Sequence, residues 1–398
     1  MPIRRKAPAA KPSRDHTRLA GLAVNPLPRP HFAPCTVSFT DRIEAVRWRR
    51  PSKDAGDYLL PGFIDLQVNG AYGIDVMAAS ASDLLELSHC LAHDGTTAWM
   101  PAVITSPLEQ IERADAIIRE AIAEQARLKR AALSGLRTPV GATILGMHLE
   151  GPFISPIRLG VHPPYDLSPA DEEFERILHL RSLKLITLAP ELDGALEAIP
   201  RFIARGVTVS IGHSEATYDE TGAAIGAGTR MVTHTFNAMR PLHHREPGPS
   251  GAALTHPGVY PSIIADGVHV HPAALALACR ARNAFLVSDR AAPAGTDGAA
   301  TSLFGGLING ASVIDDAVRL PDGTLAGASA SILDGLRLLL NHSLIDPAAM
   351  PRLTSGAAAE LIGLRSRGRI APRARADLLL LDSDLKLKAV FIGGRELD

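Results

Sequence analysis

Four side chains able to bind a metal ion or move a proton each close a short apolar run in this 398-residue chain. Glu150 follows the run from Ile144, His213 follows Val207-Thr208-Val209, His234 follows the run from Met231, and Asp289 follows Phe285-Leu286-Val287. A fifth run, Phe63–Asn69, carries Gln67 and Asn69 at its end. Two neutral imidazoles and a carboxylate make a three-ligand set with a position left for water, which is what a catalytic zinc needs. The same donors suit iron, manganese or cobalt. Taken singly, each residue has a plainer reading. Glu150 in His-Leu-Glu-Gly-Pro can cap a loop, a lone His is more often a satisfied core residue, and Asp289 can cap a helix. The spacing favours the metal. One strand–helix repeat separates His213 from His234, which puts both on adjacent strands facing one mouth. Asp289, before Ala-Ala-Pro-Ala-Gly, is then placed to take a proton from water and return it to a leaving amine.

Gln67 and Asn69 inform by what they replace. Barrel hydrolases with two metals commonly carry His-x-His at the end of the first strand, and amides are poor transition-metal ligands beside imidazole. The expectation is one tightly held divalent ion, not two.

These residues need a scaffold that gathers strand ends. Parallel strands buried on both faces read as apolar runs, and in a (β/α)8 barrel the chemistry sits at the C-terminal ends of the strands. Helical periodicity over Ser82–His93, with Ser82 as N-cap, and over Pro107–Lys129, Asp171–His179 and Asp219–Ile225 alternates with the strands to about residue 350. Both chain ends have a different texture. Cys35–Phe39 and Ile43–Trp48 read as short strands, and Arg369–Asp382 with Leu385–Leu397 as hairpin material turning at Gly393-Gly394. The fold expected is an α/β chain with a TIM-like (β/α)8 barrel at 59–364. A small β-sandwich domain would be built from 19–58 and 365–398, and residues 1–18 would be a disordered basic arm, its helix broken by Pro2, Pro8 and Pro12.

Composition narrows the function classes. The formal net charge of −1 leaves no footprint for nucleic acid or an anionic membrane. Cys35, Cys90 and Cys279 are odd in number and widely spaced, which argues for a reducing, cytoplasmic setting. No run approaches the length of a membrane-spanning helix.

The motifs resemble the N-acetylglucosamine-6-phosphate deacetylase family of the amidohydrolase superfamily. The matching pieces fall in order: Pro61–Gly70, Gly95-Thr96-Thr97 with Pro101 and Thr105, His148–Pro152, Thr187–Glu191, Gly212–Ser214, His234–Met239, Arg245–Gly248, Ala265–Val270, Asp289–Gly295 and Leu325–Gly327. The tail around Ala376-Asp377-Leu378 resembles the superfamily's closing β segment. The resemblance implies hydrolysis of the acetamide of a 6-phosphorylated amino sugar. It assigns the metal to Glu150, His213 and His234, and the proton transfer to Asp289. His162 would polarise the substrate carbonyl. Asn237 and Ala238 would touch the sugar or phosphate, and Leu325, Ala326 and Gly327 would line the sugar pocket. His269 and Arg245 would bind phosphate, Arg245 supplied by the partner subunit of a homodimer. No nucleic-acid or membrane partner is expected.

Three features depart from the family pattern. Arg290 stands beside Asp289 where the family has a small residue, and either points away from the metal or bends toward it. Val161 replaces a smaller or hydroxylated residue before the substrate-binding His162. The segment up to Tyr58 matches the family's N-terminal β segment poorly. Rival readings are the same chemistry on an N-acetylgalactosamine phosphate or an unphosphorylated acetamide, and an inactive sugar-phosphate-binding homologue. Arg158 is a candidate for steering an anion, and His243 and His244 for contacting phosphate. His93, His148 and His271 read as structural.

Overall fold

The structure, a computed structural model, describes residues 17–25, 31–49, 56–133, 141–298 and 301–398. Eight apolar runs form parallel strands. They are β1 (Phe63–Val68), β2 (Thr96–Ile104), β3 (Met147–Glu150), β4 (Leu183–Leu188), β5 (Thr208–Ile211), β6 (Met231–Val232), β7 (Tyr260–Ile263) and β8 (Phe285–Leu286). Each pairs with the next in chain order. The ring closes beyond β8, where Asp289 N–H donates to Gln67 O at 2.9 Å and Asn69 N–H donates to Arg290 O at 2.8 Å. Ile64, Leu66, Met100, Leu185, Met231, Tyr260 and Phe285, from six of these strands, share one apolar cluster, the filled interior of a TIM barrel.

Helices alternate with the strands: α1 (Ala81–His93), α2 (Leu108–Leu133), α3 (Phe174–Leu178), α4 (Ala195–Ala204), α5 (Tyr218–Gly226), α6 (Gly248–Thr255) and α7 (Pro272–Ala278), with α8 (Ile332–Asn341) after β8. In α1, Leu84, Leu87 and Leu91 bury one face at helical spacing. The cap of α1 is Ser80 rather than the expected Ser82. Ser80 takes the Asp83 N–H while the Asp83 carboxylate takes the Ser80 N–H, a reciprocal box that Ser82 lacks. The expected helix over 171–179 shrinks to α3.

Two further expectations need correction. The Ile144–Glu150 run is not one strand. It breaks at Gly146, whose φ of +138° and close approach to the Lys184 side chain admit no Cβ, so Thr143–Ile144 pairs with β2 and Met147 starts β3. The simple alternation also fails between β8 and α8. Thr301–Leu303, Ile308–Ile314, Ala317–Arg319 and Leu325–Ala328 form an antiparallel sheet there.

A second sheet joins the two ends of the chain. Its strands run in the spatial order 395–396, 387–392, 378–381, 58–61, 17–25, 31–39, 43–48. Tyr58–Pro61, where the sequence texture shifts toward the barrel, belongs to this sheet and pairs with Leu378–Leu381. Gly393 and Gly394 make the tight turn with φ of +59° and +77°. Of the segment read as a basic arm, Thr17 and Arg18 open the strand Thr17–Asn25, and the rest lies outside the described residues. Among the described residues all three cysteines are free, and no helix is long and apolar enough to cross a membrane.

Candidate active site

Glu150 ends β3, His213 lies two residues past β5, His234 two past β6 and Asp289 three past β8. His213, His234 and Asp289 all adopt left-handed backbone, with φ of +48°, +27° and +53°. Such conformations cost about 1–3 kcal/mol each and persist only where the surroundings enforce them. They turn the three side chains from the strand ends toward one point. Metal-capable atoms of Glu150, His213 and His234 lie within 4.8 Å of one another, and all three residues are buried.

The donor chemistry fits a cation. His213 Nδ1 sits 2.9 Å from Arg158 O, which only accepts, so Nδ1 carries the hydrogen and Nε2 presents a lone pair. That lone pair lies 3.1 Å from Glu150 Oε1, and His234 Nε2 lies 2.8 Å from the same oxygen. Lone pairs facing a carboxylate repel unless a positive charge stands between them, and a metal-binding imidazole is usually held in this way by a carbonyl behind it. Three further atoms at the site, His234 Nδ1, Gln67 Oε1 and Asn69 Oδ1, are buried without a hydrogen-bond partner.

Burial alone would raise the Glu150 carboxyl, but the imidazoles of His162, His213 and His234 around it hold it well below the usual range. Asp289 goes the other way. Burial first, and then the negative charge of Glu150, push it up to about 7. Asn69 Nδ2 donates to Asp289 Oδ1 at 2.8 Å, and Gln67 Nε2 donates to Glu150 Oε1 at 3.0 Å. His162 Nε2 lies 3.7 Å from Glu150 Oε2, and its ring centroid lies 4.3 Å from that of His213. Burial lowers His162 to about 4, so it is neutral at pH 7. Its Nδ1 meets Thr105 Oγ1 at 3.0 Å.

The structure thus brings Glu150, His213, His234, His162, Asp289, Gln67 and Asn69 together. Asn237 and Ala238 border this group: Asn237 Nδ2 donates to His234 O at 3.1 Å, and Ala238 O accepts from Ser214 N–H at 3.2 Å. Gly327 abuts Asp289, since a Cβ there would lie 3.0 Å from Asp289 O, and Leu325 and Ala326 precede it on the same strand. Val161 is half-buried against the outer apolar layer. Arg245 is not gathered in. It is exposed, and its guanidinium lies 3.0 Å from His244 Nε2 in its own loop.

His269 is held by a residue the motif reading did not single out. Its Nδ1 lies 2.5 Å from Asp266 Oδ2, and both side chains are nearly inaccessible. Thr105 and Asp266 each carry a hydrogen-bonding side chain behind a candidate histidine. Their place in the matched motifs is the only sequence signal for them. Arg158 does not fit an anion-steering role, because its guanidinium pairs with Glu215 while its carbonyl orients His213. His148 bridges Leu66 O and Thr187 Oγ1 inside the barrel, where burial lowers it to about 4.

Comparison with known proteins adds an independent line. The family model described as "Amidohydrolase family" matches residues 58–397. The N-acetylgalactosamine-6-phosphate deacetylase of Escherichia coli O157:H7 is 34% identical over 359 residues, covering 89% of this chain and 91% of that protein. The N-acetylglucosamine-6-phosphate deacetylase of Bacillus subtilis (strain 168) is 35% identical over 361 residues, covering 87% and 88%. Among solved structures, the Mycobacterium smegmatis N-acetyl-D-glucosamine-6-phosphate deacetylase in complex with N-acetyl-D-glucosamine-6-phosphate, a mutant form, superposes with a TM-score of 0.83 at 30% identity, covering 96% of this chain and 99% of that one. The Thermotoga maritima N-acetylglucosamine-6-phosphate deacetylase gives the same TM-score at 29% identity, with 96% and 99% covered.

Proposed function

The chain belongs to the amidohydrolase family, and from that premise we propose that it hydrolyses N-acetyl-D-glucosamine 6-phosphate to D-glucosamine 6-phosphate and acetate. The observation that carries this reading is the convergence of Glu150, His213 and His234 beside Asp289. Those three residues would hold one divalent cation, with zinc in first place and iron, manganese or cobalt as alternatives, which would acidify the attacking water and polarise the amide carbonyl. Gln67 and Asn69, as amides, leave no second strong site.

Asp289 accepts a proton as water oxygen bonds to the acetamide carbon. It then delivers that proton to the sugar nitrogen as the C–N bond breaks, leaving acetate and the free amine. Asn69 holds the Asp289 carboxylate in place through these steps. The Thr105 hydroxyl is nearer to His162 Nδ1, at 3.0 Å, than to Glu150 O, at 3.3 Å. These contacts hold the His162 ring where it would meet the charge that develops on the carbonyl oxygen. Asn237, Ala238, Val161 and Leu325–Gly327 surround the sugar. His269, fixed by Asp266, binds the 6-phosphate together with Arg245. An exposed Arg245 that reaches only its own loop suits delivery to a second subunit, so a homodimer is part of the proposal. A guanidinium matches phosphate oxygens in bidentate fashion. Three free cysteines support a reducing, cytoplasmic setting.

The test is acetate release by metal-loaded protein from N-acetylglucosamine 6-phosphate, from its galactosamine epimer and from the unphosphorylated sugar. Turnover confined to unphosphorylated sugar would sink the substrate reading. The galactosamine epimer is included because relatives named for the two sugars are 34% and 35% identical to this chain. In the same assay Arg245→Ala should raise KM about 10-fold or more for the phosphorylated sugar, and leave the unphosphorylated one unchanged. An equal effect on both would remove Arg245 from the phosphate site.

A further inference from the structure

Arg290 is the residue whose charge next to Asp289 calls for an explanation. Its side chain is 5% exposed and turns away from the metal-capable cluster. Nη1 donates to Asp94 Oδ2 at 2.5 Å, just past the end of α1, and the guanidinium carbon lies 4.8 Å from the centre of the Tyr72 ring. Tyr72 Oη donates to the same Asp94 oxygen. The loop after Arg290 is shaped around this trio. A Cβ on Gly295, at φ of +77°, would come within 2.6 Å of the Tyr72 ring and 3.0 Å of Arg290 Nη2.

We infer that Arg290 is a positioning residue for the proposed reaction: its buried contact with Asp94 and Tyr72 holds Asp289 in the left-handed conformation that presents its carboxylate to Asn69 and the Glu150 cluster. The inference rests on the deacetylase reading of the site. The main chain around Asp289 is pinned on both sides. Arg290 O accepts from Asn69 N–H at 2.8 Å and from Gly70 N–H at 3.1 Å, while Asp289 O accepts from Ala328 N–H at 2.8 Å. These bonds fix the peptide planes, and the anchored Arg290 side chain fixes the rotation between them. A residue with φ of +53° and a β-carbon returns to ordinary backbone unless something over-determines it. An ion pair whose carboxylate is 25% exposed is a poor source of stability. Arg290 Nε is, moreover, buried without a partner. The contact is therefore better explained by the geometry it imposes than by the stability it adds.

The experiment measures kcat, KM, bound metal and Tm for metal-loaded wild type and for Arg290→Met, Arg290→Lys, Asp94→Asn and Tyr72→Phe. Wild-type turnover comes first: a wild type silent on every acetamide sugar overturns the function proposed above, whereas an active wild type puts the test on Arg290. Arg290→Met should lower kcat by about 10²-fold, the scale of a 1 Å misplacement, with KM and metal content unchanged. Arg290→Lys, which keeps the charge on Asp94, should recover part of that loss. Asp94→Asn should lower kcat in the same direction, and adding it to Arg290→Met should cost nothing more, because the pair acts as one unit. Tm losses with kcat intact in Arg290→Met and Asp94→Asn would reduce the trio to structural packing and overturn the inference. So would a kcat loss that merely tracks loss of metal. If Arg290→Met does not fold, Asp94→Asn and Tyr72→Phe give the same reading, since an unchanged kcat in both overturns it.

Discussion

Two buried ionic groups in this molecule resemble each other in composition and differ in how completely they are satisfied. At the junction of barrel and end-to-end sheet, Asp377 takes Arg367 on one oxygen, and on the other Arg375 Nε at 2.9 Å and Gly393 N–H at 2.7 Å. Arg367 then donates to Thr143 Oγ1 at 2.7 Å, and no polar side-chain atom of this group is left buried and unpaired. At the mouth of the barrel, Glu150 is crowded by nitrogens while Gln67 Oε1, Asn69 Oδ1 and His234 Nδ1 go without partners. The first group is saturated by the chain's own atoms and fastens two sheets together. The second is incomplete without a guest. Unsatisfied buried polar atoms are rare in folded proteins, and where they gather they mark a place built for something else to enter.

That contrast can be broken in four ways, taken from the largest effect to the smallest. Removing metal with a chelator should abolish turnover and lower Tm, because only the folded cluster binds the ion tightly, and restoring zinc should recover both. A chelated protein with unaltered Tm and activity would mean that the mouth is as self-sufficient as the Asp377 junction. Asp289→Asn should lower kcat by about 10³-fold, within the range for a lost general base, with Tm and metal content near wild type. Survival of more than about a tenth of the activity would take the proton transfer away from Asp289.

At the junction the expected response is inverted. Arg367→Met takes from Asp377 one of its two guanidiniums and should cost about 3 kcal/mol of stability, the low end for a broken buried pair, read by denaturant unfolding, with kcat of the folded protein unchanged. The smallest effect concerns Asp65, buried beneath the site and pushed up to about 6 by burial, against hydrogen bonds from Ser288 and Gln67. Its folded pKa lies above its unfolded value of about 3.9, so between these values the native state holds the extra proton. The contribution of Asp65 to stability is therefore greatest below pH about 4 and falls, by about 3 kcal/mol, as pH rises past about 6. The difference between wild-type and Asp65→Asn unfolding free energies should change across that window by that amount, and a constant difference would remove Asp65 as its source.

The barrel and its metal-capable residues were legible because each signal is local. Apolar runs marked the strands, and polar residues at their ends or up to three positions beyond marked the mouth. Legibility failed where a fold-level contact decided the outcome. Gly146 split one apolar run because the Lys184 side chain passes too close for a Cβ. Ser80 took the cap because Asp83, not any partner of Ser82, could answer it. The antiparallel sheet of 301–328 was missed, since its short strands have no periodicity distinct from loop.

Residue types and strand–helix spacing thus determined by themselves that two histidines and a glutamate share one face, since side chains at successive strand ends of a barrel have nowhere else to converge. Only the tertiary structure decided how those groups are held: the Arg158 carbonyl behind His213, the Asp266 carboxylate behind His269, and the direction of Arg290 toward Asp94, 196 positions away in the chain. The physical reason is that a hydrogen bond or ion pair depends on distance in space, and the pairs that fix this site lie far apart along the chain and leave no periodicity in it.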